Sequence, residues 1–299
     1  MERQTLLVFD DTGQVVEEST FCKQKNEKIN IKLVKELTPK QKRLLTNKSE
    51  LTLHSEGLGG YIHMNYTENT KLFSELNIDL ANISRLIYLS TYIDYNNREE
   101  NLLVKNGQGN RRISMTRKDI QNVLLLKDTA FKAFLKDMKD NNLLFEVEGK
   151  FYLSPCIFSK GKCNFEEYTR VFVDTTRDLY RGTTSRQHKL LGQALQLIPY
   201  LHFDSNVLCK NPKEQDYTKR EKLTLEDIAN ILGVKCEKSV LSKLKKSLES
   251  LKVNINGQEL PLFKYVPKPY DYFVLNSYVV WKGNDVAKMK ENIQFYFFS

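Results

Sequence analysis

One short frame opens a helix twice in this chain. Thr116-Arg117-Lys118-Asp119-Ile120 and Thr224-Leu225-Glu226-Asp227-Ile228 share Thr-x-x-Asp-Ile at a shift of 108 residues (224 − 116). A threonine at this position caps a free backbone N–H, and an aspartate three residues on sits in the positive first turn. The surroundings repeat as well. Tyr92-Ile93-Asp94-Tyr95 matches Tyr200-Leu201-His202-Phe203 at the same shift (200 − 92). The longer helix that follows matches at 110 (244 − 134), and Phe151-Tyr152-Leu153 with Lys160-Gly161 matches Phe273-Val274-Leu275 with Lys282-Gly283 at 122 (273 − 151). The shift grows where turns and hairpins absorb insertions at least cost. A repeat of this length constrains the architecture before any other feature does.

The first copy reads as helix, strand, short helix, turn, longer helix, hairpin. Ile83, Leu86, Ile87, Leu89 and Ile93 recur at helical spacing, and Leu102-Leu103-Val104 suggests a strand. The capped helix ends near Leu124-Leu125, and a second helix covers residues 128–141. Strands over 143–147 and 150–154 close around Glu148-Gly149. In the second copy, 190–201 is a helix, Val207-Leu208 a strand and 210–222 a charged loop. Val240, Leu241, Leu244, Leu248 and Leu251 mark the longer helix, and 253–255 with 272–275 supply a second hairpin. This order predicts an α+β, mainly α chain of two tandem winged helix-turn-helix units. An N-terminal β-hairpin over residues 5–18 turns at Asp10-Asp11-Thr12-Gly13. The expected divisions are an N-terminal hairpin and basic extension (1–70), a first unit (71–165), a linker (166–186) and a second unit (187–299).

Charge bears on the partner. Lysine and arginine number 46 against 37 acids, a formal charge of +9. The excess is spread widely and favours a polyanion without fixing one. Lys23, Lys25, Lys28, Lys32, Lys35, Lys40, Lys42 and Arg43 make the early stretch basic, as a solvated appendage or a nucleic-acid arm. Cys22, Cys156, Cys163, Cys209 and Cys236 form no C-x-x-C pair, so the spacing of a zinc site is missing and a reducing cytoplasm is expected. His54, His63, His188 and His202 fall in no H-x-H or H-E-x-x-H pattern, and no G-x-S-x-G elbow occurs. The expectation is a non-enzymatic protein with no cofactor. No apolar run reaches the ~20 residues of a membrane span.

In a helix-turn-helix the second helix enters the major groove. Opposite its apolar side, the first copy carries Thr129, Lys132, Ala133 and Lys136, and the second Ser239, Ser242, Lys243 and Lys246. Hydroxyls and lysines suit phosphates and close approach to base edges, although neither face offers the arginine, asparagine or glutamine that reads bases in pairs of bonds. The bland reading of each face is a solvated helix side. Arg117 and Lys118 at the first short helix, Arg111 and Arg112 in Gly107-Gln108-Gly109-Asn110-Arg111-Arg112, and Lys150 at the hairpin tip complete the expected contacts. That glycine loop lacks phosphate-loop spacing and reads as a connecting turn. Arg170, Arg177, Arg181 and Arg186 read equally as linker salt bridges or DNA contacts. His188 and His202 read as packing or helix-surface residues.

The segment from Met115-Thr116-Arg117-Lys118-Asp119-Ile120-Gln121 through Phe151-Tyr152-Leu153 and Phe158-Ser159-Lys160-Gly161 resembles the winged-helix core of Firmicute phage and plasmid proteins of the RepL-like replication type. His188-Lys189-Leu190-Leu191-Gly192 with Leu197-Ile198-Pro199-Tyr200 resembles a segment of the same relatives. The resemblance spans residues 70–285. It implies binding of double-stranded DNA in replication or maintenance. The same surface would serve a transcription regulator, and a winged-helix module that binds protein is a further alternative. A homo-oligomer is compatible with all three.

Overall fold

The computed structural model describes residues 2–9, 15–23, 51, 53–65, 76, 78–95, 99–161, 163, 165–255 and 257–298. The chain divides into two units, Met1–Leu44 and Leu45–Ser299. The first holds an antiparallel hairpin of β1 (Glu2–Phe9) and β2 (Val15–Lys23), in register from Glu2 opposite Lys23 to Val8 opposite Glu17, with a shift before Phe9 opposite Val15. Its strands reach beyond the 5–18 expected from sequence. The turn at 10–13 and the lysines from 25 to 42, with Arg43, lie outside the described residues.

The second unit runs β3 (Tyr61–Asn65), α1 (Leu80–Ser90), β4 (Val104–Asn106), β5 (Arg112–Ser114), α2 (Arg117–Val123), α3 (Asp128–Asp140), β6 (Leu144–Val147), β7 (Lys150–Leu153), β8 (Phe158–Ser159), β9 (Tyr168–Phe172), α4 (Val173–Gly182) and α5 (His188–Leu195). It continues with α6 (Leu225–Ile231), α7 (Lys238–Ser250), β10 (Lys252–Ile255), β11 (Gln258–Pro261), β12 (Phe263–Val266), β13 (Tyr272–Leu275), β14 (Val280–Trp281) and α8 (Val286–Phe297).

Both short helices start as their shared frame dictates. The Thr116 hydroxyl accepts from Asp119 N at the start of α2, while the Asp119 carboxylate accepts from Thr116 N. Thr224 and Asp227 make the same reciprocal pair at α6. Each aspartate also holds a lysine, Lys105 at 2.5 Å and Lys210 at 3.0 Å. Burial works to raise the Asp119 carboxyl, and Lys105 with the Thr116 donors outweighs it and holds it below the usual range. Asp227 is lowered against the same burial by the Thr224 N–H and Lys210.

The repeat extends to the backbone. Leu103 N donates to Phe151 O at 2.8 Å, and Leu208 N donates to Phe273 O at 3.0 Å. Val104 N bonds Tyr92 O as Cys209 N bonds Tyr200 O, at 2.9 and 2.8 Å. Asn101 and Asn206 both take left-handed backbone, with φ of 57° and 49°, and each amide reaches a later carbonyl, of Phe158 and of Val280.

A mainly α chain of two tandem winged helix-turn-helix domains is nevertheless not what forms. Strands recur along the whole unit in several small antiparallel sheets. The four-stranded sheet, in the order β14-β9-β3-β8, draws from both ends of the unit: Val171 lies opposite Ile62 on one side and Val280 on the other. A contiguous apolar core runs from Ile62 to Phe297, so the two copies share one interior. Residues 166–186, read as a linker, hold β9 and α4, and β3 lies within the presumed N-terminal extension. The reason is physical. Capping and helical period are local signals, whereas β3 and β9 are joined by pairing across about a hundred residues, which no local pattern records.

The second hairpin also differs from expectation. Residues 253–255 pair with β11, not with 272–275, and β13 pairs with β12. Ile255 pairs with Gln258, and Gly257 just before that partner has a φ of 83° that favours glycine.

α1 is buried along nearly its whole length and packs against α5. Gly192 permits that approach, since an ideal Cβ there would lie 1.8 Å from the Leu80 carbonyl oxygen. Tyr88 stacks on Tyr180 at 4.0 Å, and Tyr180 on His188 at 4.2 Å.

Candidate nucleic-acid interface

α3 and α7 are each 13 residues long and occupy the same place in the repeat. Phe131, Phe134, Leu135 and Met138 bury one side of α3, which turns Thr129, Lys132, Ala133 and Lys136 outward, all exposed. Ala130, grouped with the apolar side by spacing, is exposed too. On α7, Leu244 and Leu248 are buried, and Ser239, Ser242, Lys243 and Lys246 are exposed. Spacings of three and four residues align each set into one stripe.

Lys132, Lys136, Lys243 and Lys246 form no ion pair among the described residues. The two helices differ in charge. α3 carries Lys132, Lys136 and Lys139 against Asp128, Asp137 and Asp140. α7 carries Lys238, Lys243, Lys245 and Lys246 against Glu249 alone. The α3 acids are partly engaged elsewhere. Asp137 accepts from Asn82 Nδ2 at 2.7 Å, and Asp128 from Gln121 Nε2 at 2.6 Å. Lys245 lies 3.4 Å from the centre of the Tyr265 ring. Reading by spacing alone passed over this imbalance, which a charge count over each helix would have found.

The remaining expected contacts divide. Arg111, Arg117 and Lys118 are exposed, with the Arg117 guanidinium 5.8 Å from the Phe131 ring centre. Arg112 is held by Asp94 at 2.6 Å and Lys150 by Glu99 at 2.6 Å, and Tyr152 OH donates to the same Glu99 carboxylate. Lys150 and Tyr152 keep that carboxyl below its ordinary range. The Gly107–Arg112 segment closes the β4–β5 hairpin, with Gly107 N bonded to Arg111 O at 2.7 Å.

Of the four central arginines, Arg170 is buried and donates to Gly283 O at 2.7 Å and Asn284 Oδ1 at 2.6 Å. Arg177 clamps Thr91, and Arg181 reaches Tyr92 OH at 3.4 Å. Arg186 is exposed. His188 and His202 are both buried. Among the described residues, no group of three or more His, Cys, Asp or Glu could hold a metal ion, and no helix is long and apolar enough to cross a membrane.

No protein-family model, curated protein or solved structure matches the chain.

Proposed function

We propose that the protein binds double-stranded DNA through the exposed stripes of α3 and α7, with α7 as the stronger anchor. The observation that carries this reading is the α7 surface: four lysines against one glutamate, with Ser239, Ser242, Lys243 and Lys246 exposed together. Unpaired lysines on a convex helix release counterions when they meet phosphates, and serine hydroxyls add short contacts. The stripes lack residues that read bases in pairs of bonds, which favours phosphate contact over base selection. The sequence resemblance to RepL-like proteins points to phage or plasmid replication or maintenance. A regulator would use the same surface, and the location of the bound sites, at an origin or over a promoter, separates the two.

Fluorescence anisotropy with a labelled duplex over a range of salt concentrations tests the binding. Removing Lys243 and Lys246 together, as K243A/K246A, should flatten the log–log salt slope by roughly two. Removing Lys132 and Lys136 should have the smaller effect. Unchanged affinity and slope in the α7 double variant would overturn the reading.

A further inference from the structure

The two copies of the repeat use one lysine differently. Lys160-Gly161 aligns with Lys282-Gly283, and the glycines sit alike: an ideal Cβ on Gly283 would meet the Phe203 carbonyl oxygen at 2.9 Å, and one on Gly161 that of Tyr95 at 3.7 Å. Tyr95 and Phe203 are themselves partners in the repeat. Lys282 Nζ donates to the carbonyls of Pro199 at 3.1 Å and Leu201 at 2.9 Å. The counterparts of those residues are Thr91 and Ile93. In the first copy the Thr91 carbonyl is taken by Arg177 Nη2 at 2.9 Å, and Arg177 Nε donates to Thr91 Oγ1 at 3.0 Å. Arg177 thus occupies the acceptor that Lys160 would otherwise use.

Lys160 is left half-buried, and among the described residues no salt bridge or side-chain hydrogen bond involves it. It lines a cavity of 210 Å³ together with Gly59, Lys105, Arg112, Asp174 and Arg177. Lys105 and Arg112 are neutralised by Asp119 and Asp94. Among the described residues, Lys160 and Arg177 are the lining cations that form no salt bridge with a carboxylate. Burial, with the Arg177 and Arg112 charges beside it, pulls the Lys160 amine down to about 8, while Asp94 and Asp174 act the other way. The first two backbone N–H groups of α4 are spent on Gly60 O and Leu58 O.

We propose that this cavity binds a phosphate group, with Lys160 as its principal contact and Arg177 as the fixed second cation. The volume is below the ~300 Å³ at which drug-sized ligands begin to fit, so the recognised part is one small anionic group. A phosphate dianion suits crowded cations better than a carboxylate, because it brings more charge and more acceptor oxygens to the same point. The site is separate from the α3 and α7 stripes, and it stands or falls independently of duplex binding.

Isothermal titration calorimetry of the full chain with inorganic phosphate, and then with adenosine 5′-monophosphate, tests this. The wild-type protein should bind, with affinity falling as pH rises past about 8 and Lys160 loses its proton. K160M keeps the aliphatic stem and should weaken binding by roughly tenfold to a hundredfold, the range of one charge-assisted hydrogen bond. K160R should retain binding, which guards against a folding defect in the methionine variant. Tighter binding of the nucleotide assigns the site to a phosphomonoester, and equal binding assigns it to phosphate itself. No binding of either ligand by the wild type, or wild-type affinity in folded K160M, would overturn the proposal.

Discussion

His63 should make this fold sensitive to mild acid. It lies in the middle of β3, only 5% exposed, edge-on to the rings of Tyr168 at 4.7 Å and Tyr61 at 5.0 Å. Burial, then the nearby Arg170 charge, pulls its imidazole from an ordinary 6.5 down to about 4, against a smaller opposing pull from the Ser159 backbone. The folded state therefore holds the ring neutral where the unfolded chain would protonate it. Stability contributed this way is complete above pH 6.5 and is lost as pH falls towards 4. At ~1.4 kcal/mol per pH unit, the ceiling is about 3 kcal/mol, of which about 2 kcal/mol is gone by pH 5. Burial also lowers the pKa values of His54, His188 and His202, so acid acts on more than one buried imidazole. The informative quantity is thus the difference between wild type and His63→Phe, which keeps a planar ring without a titrating nitrogen. Urea denaturation at pH 7 and pH 5 measures it. The variant should lose about 2 kcal/mol less than wild type over that interval. An equal loss in both proteins would show that His63 ionises in the fold as freely as in water, and the account of its burial would be wrong.

Two further outcomes follow from packing and capping. Gly192→Ala forces a methyl to within 1.8 Å of the Leu80 carbonyl oxygen, a backbone atom that cannot swing aside. Its cost should reach the upper end of the usual overpacking range, about 3 kcal/mol, and lower Tm by roughly 6–12 °C in differential scanning calorimetry. A change below about 1 kcal/mol would mean that α5 slides on α1 without penalty. Thr116→Ala and Thr224→Ala should each cost about 1 kcal/mol in chemical denaturation and sum in the double variant, because the two caps share no partner.

What the sequence made legible is whatever is decided within a few residues. Thr116 with Asp119, and Thr224 with Asp227, announce their helices because a cap needs only its own first turn. Phe131, Phe134, Leu135 and Met138 announce the buried side of α3 because helical period is local. The four-stranded sheet was hidden. His63 meets Arg170 and Trp281 meets Arg170 across stretches of chain that carry no mutual mark. β8 and β14 are two residues long, too short for an alternating pattern to exist. The presumed interface followed the same division. Spacing found which α3 and α7 residues face outward, while the pairing of Arg112 with Asp94 and of Lys150 with Glu99 needed the tertiary structure.

The strand order β14-β9-β3-β8 sets a timetable for biosynthesis. β9 can dock on β3 as soon as it is made, but its other side stays open until β14 arrives, about a hundred residues later. At roughly 5–20 residues per second, a ribosome leaves that edge uncovered for about 5–20 s. Open N–H and C=O groups on a strand edge are a template for pairing with another chain. Slow or paused translation between β9 and β14 should therefore be the step at which this protein is most exposed to aggregation, and a chaperone that shields strand edges should help it most there.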